Sequence, residues 1–341
     1  MSLPTRALGK NGPQVTALGF GTMGLSAFYG APKPDEERFT VLDAAFAAGE
    51  LNWDSADVYM DSEDLLGRWF SANPGKREKI FLATKFGFRR IEDDGQMGAT
   101  DSSPEYCKKA IERSLKRLGL SHVDLYYAHR LDGTTPVEKT VAALAELKAE
   151  GKIKHIGLSE VSAESLRRAH KVHPIAAVQI EYSPFSLDIE DPQIALLKAC
   201  RELGVAVVAY SPLGRGMLSG KFRSPADFAS DDSRRYAPRF SEENFPKNLT
   251  LVDEISRIAE KKKVTPSQLT LAWLLAQGDD IIPIPGTTSI DRLNENLGSL
   301  SVQLTEEEKR DVRELAEKAE VHGARYPEAY SSALFADTPA L

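Results

Sequence analysis

The amino-acid sequence predicts an α/β fold, a closed (β/α)8 TIM barrel with an N-terminal hairpin and an extra C-terminal helix. Short apolar runs rich in β-branched residues alternate with amphipathic stretches, and the runs are apolar throughout, as in parallel strands buried on both faces. Strand followed by helix, repeated eight times, is the pattern of such a barrel. The predicted strands are 16–20, 51–54, 80–84, 123–128, 154–158, 176–180, 205–210 and 281–285.

The size of the chain suits one domain. With 341 residues and an apolar content of 42%, the chain can bury a sizeable core, and single barrel domains of about 250 residues or more are common. We expect one domain over residues 1–341, with the barrel core over about 16–300 and a C-terminal helix and tail over 305–341.

Helix signals separate the predicted strands. A helical pattern runs from Asp35 to Ala48, and Gly49 is a plausible stop. Another pattern opens at Ser103 with Pro104 in first-turn position, where the missing N–H of proline is tolerated. These patterns predict the helices that cover the outside of the barrel.

Three segments lie outside the repeat. Residues 6–15 carry an Asn-Gly turn signal and predict a hairpin before the barrel. Residues 211–247 form a long insertion after the seventh strand, and loops of that length are usually functional or mobile. Residues 305–319 begin with Thr305 and Glu308 in capping-box spacing, which predicts the extra helix.

The sequence after Gly323 carries Tyr326, Tyr330 and Phe335. This tail could cover the rim of the barrel or lack fixed structure, and the sequence leaves both open.

One motif favours a different architecture, the open doubly wound sheet. Residues 19–24 read GFGTMG, a literal GxGxxG after a strand. The dinucleotide fingerprint also requires the third glycine to open a helix, so that the helix N-terminus meets a pyrophosphate. Here LSAFYGAPKP follows, which reads as loop, so a close-packed turn after the first barrel strand is the better interpretation.

Charge and cysteine content exclude several classes of protein. The net charge of −7 is mixed along the chain, so we expect no general attraction to nucleic acid or to an anionic membrane. Cys107 and Cys200 are too few for a disulfide framework and match no zinc spacing, so no metal site is expected. No signal-peptide stretch and no run of about 18 apolar residues occurs, which favours a cytoplasmic protein.

Four polar residues lie just past the ends of three successive strands. Asp54 and Tyr59 follow the second strand, Lys85 follows the third, and His129 follows the fourth. The carboxyl ends of barrel strands form the functional face, so these side chains should converge on one rim. Each alone has a structural explanation, such as an ion pair or a packed core histidine, but together they predict a catalytic group.

This group suits protonation of a carbonyl oxygen. A phenol is a weak acid at neutral pH, because its reference pKa is about 10. Lys85 could lower the pKa of Tyr59, Asp54 could hold Lys85 in place, and His129 could bind the substrate oxygen. The sequence therefore predicts general acid catalysis by Tyr59.

The loops after strands seven and eight could hold a phosphate-bearing cofactor. Gly286, Thr287 and Thr288 precede a predicted helix over about 289–298, and helix N-termini at this place often bind phosphate. Arg292 and Asn296 would lie one turn apart on the same face of that helix. Gly214, Arg215 and Gly216 offer close backbone approach plus a guanidinium group. Each feature also has a purely structural explanation, such as a turn or a solvated arginine.

Taken together, these blocks resemble the aldo-keto reductase superfamily. The resemblance covers roughly residues 5–318 and is closest to the pyridoxal reductase-like and plant and fungal carbonyl reductase-like branch. The blocks that carry it, in the order of the family, are LGFGTMG, WDSADVY, LLGRWF, ATKFG, DLYYAHR, GKIKHIGLSE, VQIEYSP, AYSPLGRGMLSGKF and IPIPGTTSIDRLNEN.

The resemblance implies an NADPH-dependent carbonyl reductase with Asp54, Tyr59, Lys85 and His129 as its catalytic tetrad. Hydride would pass from the nicotinamide to the carbonyl carbon while Tyr59 protonates the oxygen. Ser159 and Gln179 would bind the carboxamide, and the nicotinamide ring would stack on Tyr210. The full set of implied cofactor-binding residues is Thr22, Met23, Ser159, Gln179, Tyr210, Ser211, Leu213, Gly214, Arg215, Gly216, Gly286, Thr287, Thr288, Arg292, Glu295 and Asn296.

Two positions depart from the pattern of the family. Met60 follows the catalytic tyrosine where glycine is usual, and Glu160 follows Ser159 where asparagine is frequent. An anionic Glu160 would change the hydrogen bonding of the carboxamide or would point elsewhere.

Two other functions are compatible with the sequence. The superfamily contains channel-associated members, so the chain could be a cofactor-binding regulatory subunit without significant turnover. Lys85 could also act as a Schiff-base nucleophile, as in aldolases. The substrate is expected to be a small carbonyl compound. The sequence does not predict the oligomeric state of the protein. Candidate pocket walls are Phe28, Tyr29, Trp53, Phe86, Arg130 and the aromatic residues of 222–240.

Overall fold

A computed structural model describes residues 2–90 and 97–341. Its strands, in chain order, are β1 (Thr5–Ala7), β2 (Gln14–Thr16), β3 (Phe20–Gly21), β4 (Asn52–Asp54), β5 (Phe81–Phe86), β6 (Phe88–Arg90), β7 (Met97–Thr100), β8 (Val123–Ala128), β9 (Ile153–Ser159), β10 (Ala177–Glu181), β11 (Ala206–Tyr210) and β12 (Ile281–Pro283).

Helices follow most of these strands. They are α1 (Met23–Ser26), α2 (Asp35–Ala48), α3 (Ser62–Ala72), α4 (Pro104–Leu118), α5 (Val137–Ala149), α6 (Ala163–Val172), α7 (Leu196–Leu203), α8 (Phe245–Lys262), α9 (Pro266–Leu275), α10 (Ile290–Gly298) and α11 (Glu306–Lys318).

Eight parallel strands form the barrel. Their order in the sheet is β12-β11-β10-β9-β8-β5-β4-β3, and every neighbouring pair is parallel. The two outer strands meet, because the Gly19 amide donates to Pro283 O over 2.9 Å and Gly21 forms a parallel bridge with Gly286. The predicted barrel is therefore confirmed, and an open doubly wound sheet is excluded.

The first two glycines of the GxGxxG segment lie at the close-packed approach that the sequence favoured, whereas the third, Gly24, lies in the one-turn helix α1 (Met23–Ser26), so the expectation of loop directly after it was wrong. A Cβ atom on Gly21 would lie 2.9 Å from Ile284 O, and one on Gly19 would lie 2.8 Å from the Asn52 side chain. Glycine is needed here because β3 and β12 approach each other too closely for a side chain.

The hairpin β1–β2 closes the amino end of the barrel. Its two strands are antiparallel, as predicted, and Asn11 has a positive φ of 61°. Gly12 does not have a positive φ, and the connection runs over residues 8–13, so the turn is longer than the two-residue Asn-Gly turn. Leu8 and Val15 pack with residues of the barrel interior, including Tyr127 and Ile282. The bottom of the barrel is thus sealed, which leaves the carboxyl ends of the strands as the accessible face.

Several predicted boundaries were wrong. The first predicted strand, 16–20, is divided between β2 and the two-residue β3. The antiparallel pair β6–β7 was not predicted, and α8 starts inside the predicted insertion 211–247. The rest of that insertion forms loops and short 3-10 helices, and its aromatic residues pack together, with Phe228 against both Phe222 and Phe240.

The C-terminal residues return to the rim of the barrel. The predicted helix is present as α11, and Thr305 and Glu308 form the expected capping box. Beyond it, Ala336 bonds through its backbone to Glu160 and Ser162, just past β9. Of the two possibilities for the tail, coverage of the rim is the one observed.

No helix in residues 2–90 and 97–341 is long and apolar enough to cross a membrane.

Candidate active site

Neighbouring strands bring the four predicted catalytic residues together. The strands β4, β5 and β8 are adjacent in the sheet, and Asp54, Lys85 and His129 lie at their carboxyl ends. Tyr59 lies on the turn between β4 and α3. The ring of Tyr59 is 5.0 Å from Lys85 Nζ and 5.8 Å from the His129 ring, so the predicted convergence on one rim is present.

Lys85 and Asp54 form a buried ion pair. Lys85 is 0% exposed and Asp54 is 4% exposed. Lys85 Nζ donates to Asp54 Oδ1 over 2.5 Å and to Ser55 O over 2.6 Å, and Gln179 donates to Asp54 Oδ2 over 2.8 Å. Burial lowers the pKa of Lys85, while the Asp54 carboxylate opposes that change. Such a pair is well satisfied by hydrogen bonds, which holds the Lys85 side chain in one place.

Tyr59 is held protonated. Burial, and after it the negative charge of Asp54, raises the pKa of Tyr59 far above its usual value. The expectation that the pKa of Tyr59 is lowered is therefore wrong, because burial raises it and the negative charge of Asp54 adds to the increase. The phenol nevertheless has the protonation state that a general acid needs.

His129 is a neutral imidazole in a tight pocket. Its ring packs edge-on against Tyr59 and against Phe88, with a centroid distance of 5.3 Å to the latter. Burial, and then the charges of Arg130 and Lys85, lowers the pKa of His129 well below its usual value. Its Nδ1 atom is buried and has no hydrogen-bond partner among the residues that the structure describes. A neutral imidazole carries one ring N–H, which is the kind of donor that a substrate oxygen needs.

Backbone strain is concentrated at this rim. Left-handed φ values cost an L-residue about 1–2 kcal/mol, and they tend to cluster at functional sites. Non-glycine residues in this region with φ between 46° and 70° are Phe28, Met60, Glu160, Ser211, Arg215 and Phe335.

Met60 occupies a position that favours glycine. Its φ is 46°, and its side chain is 47% exposed. Arg117 on α4 supports this turn, because its guanidinium donates to the carbonyl oxygens of Met60 and, over 3.0 Å, Asp57. The same group pairs with Glu63 over 2.9 Å. Contacts on both sides of Tyr59 thus hold the catalytic turn against α4.

The Glu160 side chain is turned toward Tyr210 and the C-terminal tail. Its carboxylate accepts hydrogen bonds from Tyr210 Oη over 2.6 Å and from Arg325 over 3.0 and 3.2 Å. Of the two outcomes considered for this residue, the side chain points elsewhere, toward the tail.

The loop before α10 has the groups expected for a phosphate site. Ser289 caps the helix, and Arg292 donates from Nε to Thr287 Oγ1 and from Nη2 to Thr288 Oγ1, each over 3.2 Å. Arg292 is exposed, whereas Asn296 is buried one turn further on. An exposed guanidinium, two hydroxyls and a helix N-terminus fit a phosphate-bearing cofactor.

The other predicted cofactor residues contact neighbouring protein groups or lie in the connection after β11. The Thr22 hydroxyl donates to Asp54 O over 3.0 Å, and Met23 starts α1. Glu295 pairs with Lys221 over 3.2 Å. Ser159 Oγ accepts from Arg130 over 3.2 Å. Tyr210 ends β11. Ser211 and Leu213 lie in the connection that follows, and Gly214, Arg215 and Gly216 begin a 3-10 turn over Gly214–Ser219. Of these five residues, all but Leu213 have a positive φ.

The Arg215 side chain faces the barrel mouth. Its guanidinium donates to buried Glu181 over 3.3 Å and lies 4.3 Å from the centre of the Tyr326 ring. A pyrophosphate contact by this side chain stays a prediction that requires it to leave those partners. The backbone of residues 214–216 is not subject to that requirement.

Two predicted pocket walls were wrong. Trp53 and Phe86 are both 0% exposed, and they belong to the core between sheet and helices, where Trp53 packs on Trp69. Their side chains point outward from the barrel because strand residues alternate in direction. Phe28 does reach the site, with its ring 6.3 Å from the ring of Tyr59.

Two residues at the site, Phe88 and Arg325, were missed by sequence reasoning, whereas Tyr326 was named as part of a tail that could cover the rim. Phe88 contacts His129, and Arg325 and Tyr326 reach the rim from the tail. Tyr326 donates to Tyr210 Oη over 3.2 Å. The aromatic residues of the tail were the available signal for Tyr326, but nothing local indicated Arg325.

The chain matches known proteins in sequence and in fold. The model of the aldo/keto reductase family matches residues 17–317. Aldo-keto reductase str7 of Strobilurus tenacellus is 54% identical, covering 100% of this chain and 99% of its own length. Aldo-keto reductase yakc [NADP(+)] of Schizosaccharomyces pombe is 51% identical, covering 99% of each. A solved glycerol dehydrogenase of Gluconobacter oxydans superposes with a TM-score of 0.82 at 29% identity, covering 95% of this chain and 98% of that one. The chain belongs to the aldo/keto reductase family.

Proposed function

We propose that this protein reduces a small aldehyde or ketone to an alcohol, with NADPH as hydride donor and Tyr59 as proton donor. The family generally reduces carbonyl compounds with NADP(H), and the name of the yeast relative includes NADP(+). The observation that carries the proposal is the convergence of Tyr59, the buried Lys85–Asp54 pair and neutral His129 at one rim.

The tetrad has a division of labour that follows from its contacts. Tyr59 carries a proton at neutral pH and is the acid. The negative charge that forms on Tyr59 when it gives its proton to the substrate oxygen would be stabilised by the nearby Lys85 ammonium, which Asp54 holds in place. His129, a neutral ring packed against Tyr59, would donate from its ring N–H to the carbonyl oxygen and orient it toward Tyr59.

The predicted cofactor residues would bind NADPH and orient its nicotinamide ring. NADPH, when bound, supplies the hydride. Tyr210 would stack on its nicotinamide, and Ser159 and Gln179 would bind the carboxamide. Gly214 and Gly216 allow close backbone approach to a pyrophosphate. Arg292 with Thr287 and Thr288 would bind the 2′-phosphate, which favours NADPH over NADH.

Replacement of Tyr59 by phenylalanine tests the proposed acid. Tyr59→Phe removes one hydroxyl from the site and should lower kcat by roughly 10²–10⁴-fold, the usual contribution of general acid catalysis. The affinity for NADPH, measured by calorimetry, should stay within about twofold of the unmodified protein, because the hydroxyl is not assigned to cofactor binding. Turnover should be assayed on a panel of aldehydes and ketones.

Three other results would point elsewhere. Undiminished activity in Tyr59→Phe would exclude Tyr59 as the acid. Tight NADPH binding with no turnover on any carbonyl would favour a regulatory subunit. Borohydride trapping of substrate on Lys85 would favour Schiff-base chemistry.

A further inference from the structure

The carboxylate of Glu160 is completely buried at the edge of the proposed nicotinamide site. Glu160 is 0% exposed and directly follows Ser159 at the end of β9. Its Oε1 atom accepts from Tyr210 Oη over 2.6 Å. A buried carboxylate needs a compensating charge, because loss of solvation otherwise costs several kcal/mol.

Arg325 provides that charge from the far end of the chain. It is 6% exposed, and its two terminal nitrogens donate to the two Glu160 oxygens over 3.0 and 3.2 Å. Its guanidinium also lies 5.1 Å from the Phe335 ring, and its nearest other carboxylate, Glu181, is 3.8 Å away. Arg325 and Glu160 thus form a bidentate ion pair, which is the strongest geometry available to arginine and a carboxylate.

The other charged groups near this pair do not bond to Glu160, although the positive charge of Arg130 also acts on the Glu160 carboxylate at longer range. Glu181 is paired with Arg215 over 3.3 Å and with Arg239 over 3.5 Å. The Arg130 guanidinium donates to His129 O and to Ser159 Oγ. Removal of Arg325 would therefore leave Glu160 without a direct cationic hydrogen-bond partner among the described residues.

We propose that Arg325 sets the relative affinity of the site for NADP⁺ and NADPH by neutralising Glu160 beside Tyr210. The inference rests on the proposed function, in which Tyr210 is the platform for the nicotinamide. The nicotinamide ring carries a positive charge in NADP⁺ and none in NADPH. An uncompensated carboxylate one tyrosine side chain away would therefore stabilise the oxidised form selectively. With Arg325 in place the charge of Glu160 is balanced, so the affinity for NADPH is not lowered relative to that for NADP⁺.

A double-mutant cycle on Arg325 and Glu160 tests the inference by measuring cofactor binding, without an activity assay. The dissociation constants of NADP⁺ and NADPH should be measured by calorimetry for the unmodified protein, Arg325→Met, Glu160→Gln and the double variant. Arg325→Met should lower the ratio of Kd for NADP⁺ to Kd for NADPH by about tenfold, as for one buried charge at moderate distance. Glu160→Gln should raise the ratio, because Arg325 is then unopposed.

The double variant supplies the internal control. It removes both charges, so its ratio should return to that of the unmodified protein, and it avoids an unpaired buried charge that could hinder folding. Arg325→Lys retains the charge and should leave the ratio unchanged. A merely structural role would weaken both cofactors alike and would not respond to the sign of the charge.

The outcomes are distinguishable. If the unmodified protein binds both cofactors but the ratio is unmoved in Arg325→Met and in Glu160→Gln, this inference is overturned while the proposed function stands. If the unmodified protein binds neither cofactor, the proposed function fails, and the inference that depends on it fails as well.

Discussion

At the scale of single residues, Met60 carries a conformational strain that can be measured. Its left-handed φ of 46° disfavours a side chain, and that side chain is 47% exposed, so little packing is lost on removing it. Met60→Gly should therefore raise the free energy of unfolding by about 1 kcal/mol. Met60→Ala is the matched control, because it shortens the side chain but keeps the Cβ atom. Equal stability of the two variants in urea titrations would show that strain at this position is negligible.

Asp57, two residues before Tyr59, should make stability depend on pH. Its Oδ2 atom accepts from Arg113 over 2.8 Å, but burial and the neighbouring Glu63 raise the pKa of Asp57 to about 7. The unfolded value is about 3.9, so between about pH 4 and 7 the folded state keeps a proton that the unfolded state releases. The free energy of unfolding should fall as pH rises through that window.

The asparagine variant isolates this contribution. Asp57→Asn cannot titrate, so its loss of stability between about pH 5 and pH 7.5 should be smaller than that of the unmodified protein. Asp311→Asn, an exposed carboxylate on α11, should leave the pH dependence unchanged. Parallel curves for Asp57→Asn and the unmodified protein would mean that Arg113 keeps Asp57 ionised throughout.

The tetrad could be predicted from sequence, whereas the partner of Glu160 could not. Asp54, Lys85 and His129 are read from local strand ends, because adjacent parallel strands end at one face. Glu160 and Arg325 are separated by 165 positions, and only the path of the tail brings them together. The direction of the Tyr59 pKa shift was also missed, because it depends on burial and on the negative charge of Asp54.

At the scale of elements, α4 positions the catalytic turn through Arg117. This side chain bonds to the carbonyl oxygens of Met60 and Asp57 and to the buried carboxylate of Glu63. Arg117→Ala should release the turn that carries Tyr59 and lower kcat by roughly tenfold, since small misplacements of a catalytic group are costly. The dissociation constant of NADPH should change much less, because Arg117 is not assigned to the cofactor.

Folding defects must be separated from positioning. Arg117→Ala leaves Glu63 unpaired and should cost about 3 kcal/mol of stability, whereas Arg117→Lys keeps the charge but cannot reach all of the same partners. The lysine variant should therefore recover stability more fully than kcat. Lys116→Ala, exposed on the same helix, is the control for both measurements. Full recovery of kcat by lysine would contradict a positioning role for the guanidinium.

Elements with a strong apolar signal were predicted well, and short ones were not. The run VDLYYA matches β8 residue for residue, and Ser103 caps α4 as expected. The sequences of β6 (FRR) and β7 (MGAT) contain no apolar run, and β3 is only two residues long. Such strands are set by pairing with neighbours rather than by their own composition.

At the scale of the whole molecule, hydrogen bonds at two places hold the C-terminal tail across the rim of the barrel. One anchor lies near the start of the tail, where Asn248 and Arg239 donate to the carbonyl oxygens of His322 and Gly323. The other lies near its end, where Arg168 on α6 donates to Thr338 O over 2.8 Å and to Pro339 O over 2.6 Å. Between these anchors the tail carries Arg325 and Tyr326 into the site.

Loss of the second anchor should loosen only the distal part of the tail. Arg168→Ala removes charge-assisted hydrogen bonds that are worth about 1.5–3 kcal/mol each, so amide hydrogen exchange in residues 335–341 should speed up by roughly tenfold or more. Arg167→Ala is the matched control, because Arg167 lies on the same helix but pairs with Glu202. Residues 322–326 should keep their protection, since the first anchor and the Glu160 pair remain. Equal acceleration across 322–341 would instead mean that the tail opens as one unit, and NADPH affinity should then fall in Arg168→Ala as well.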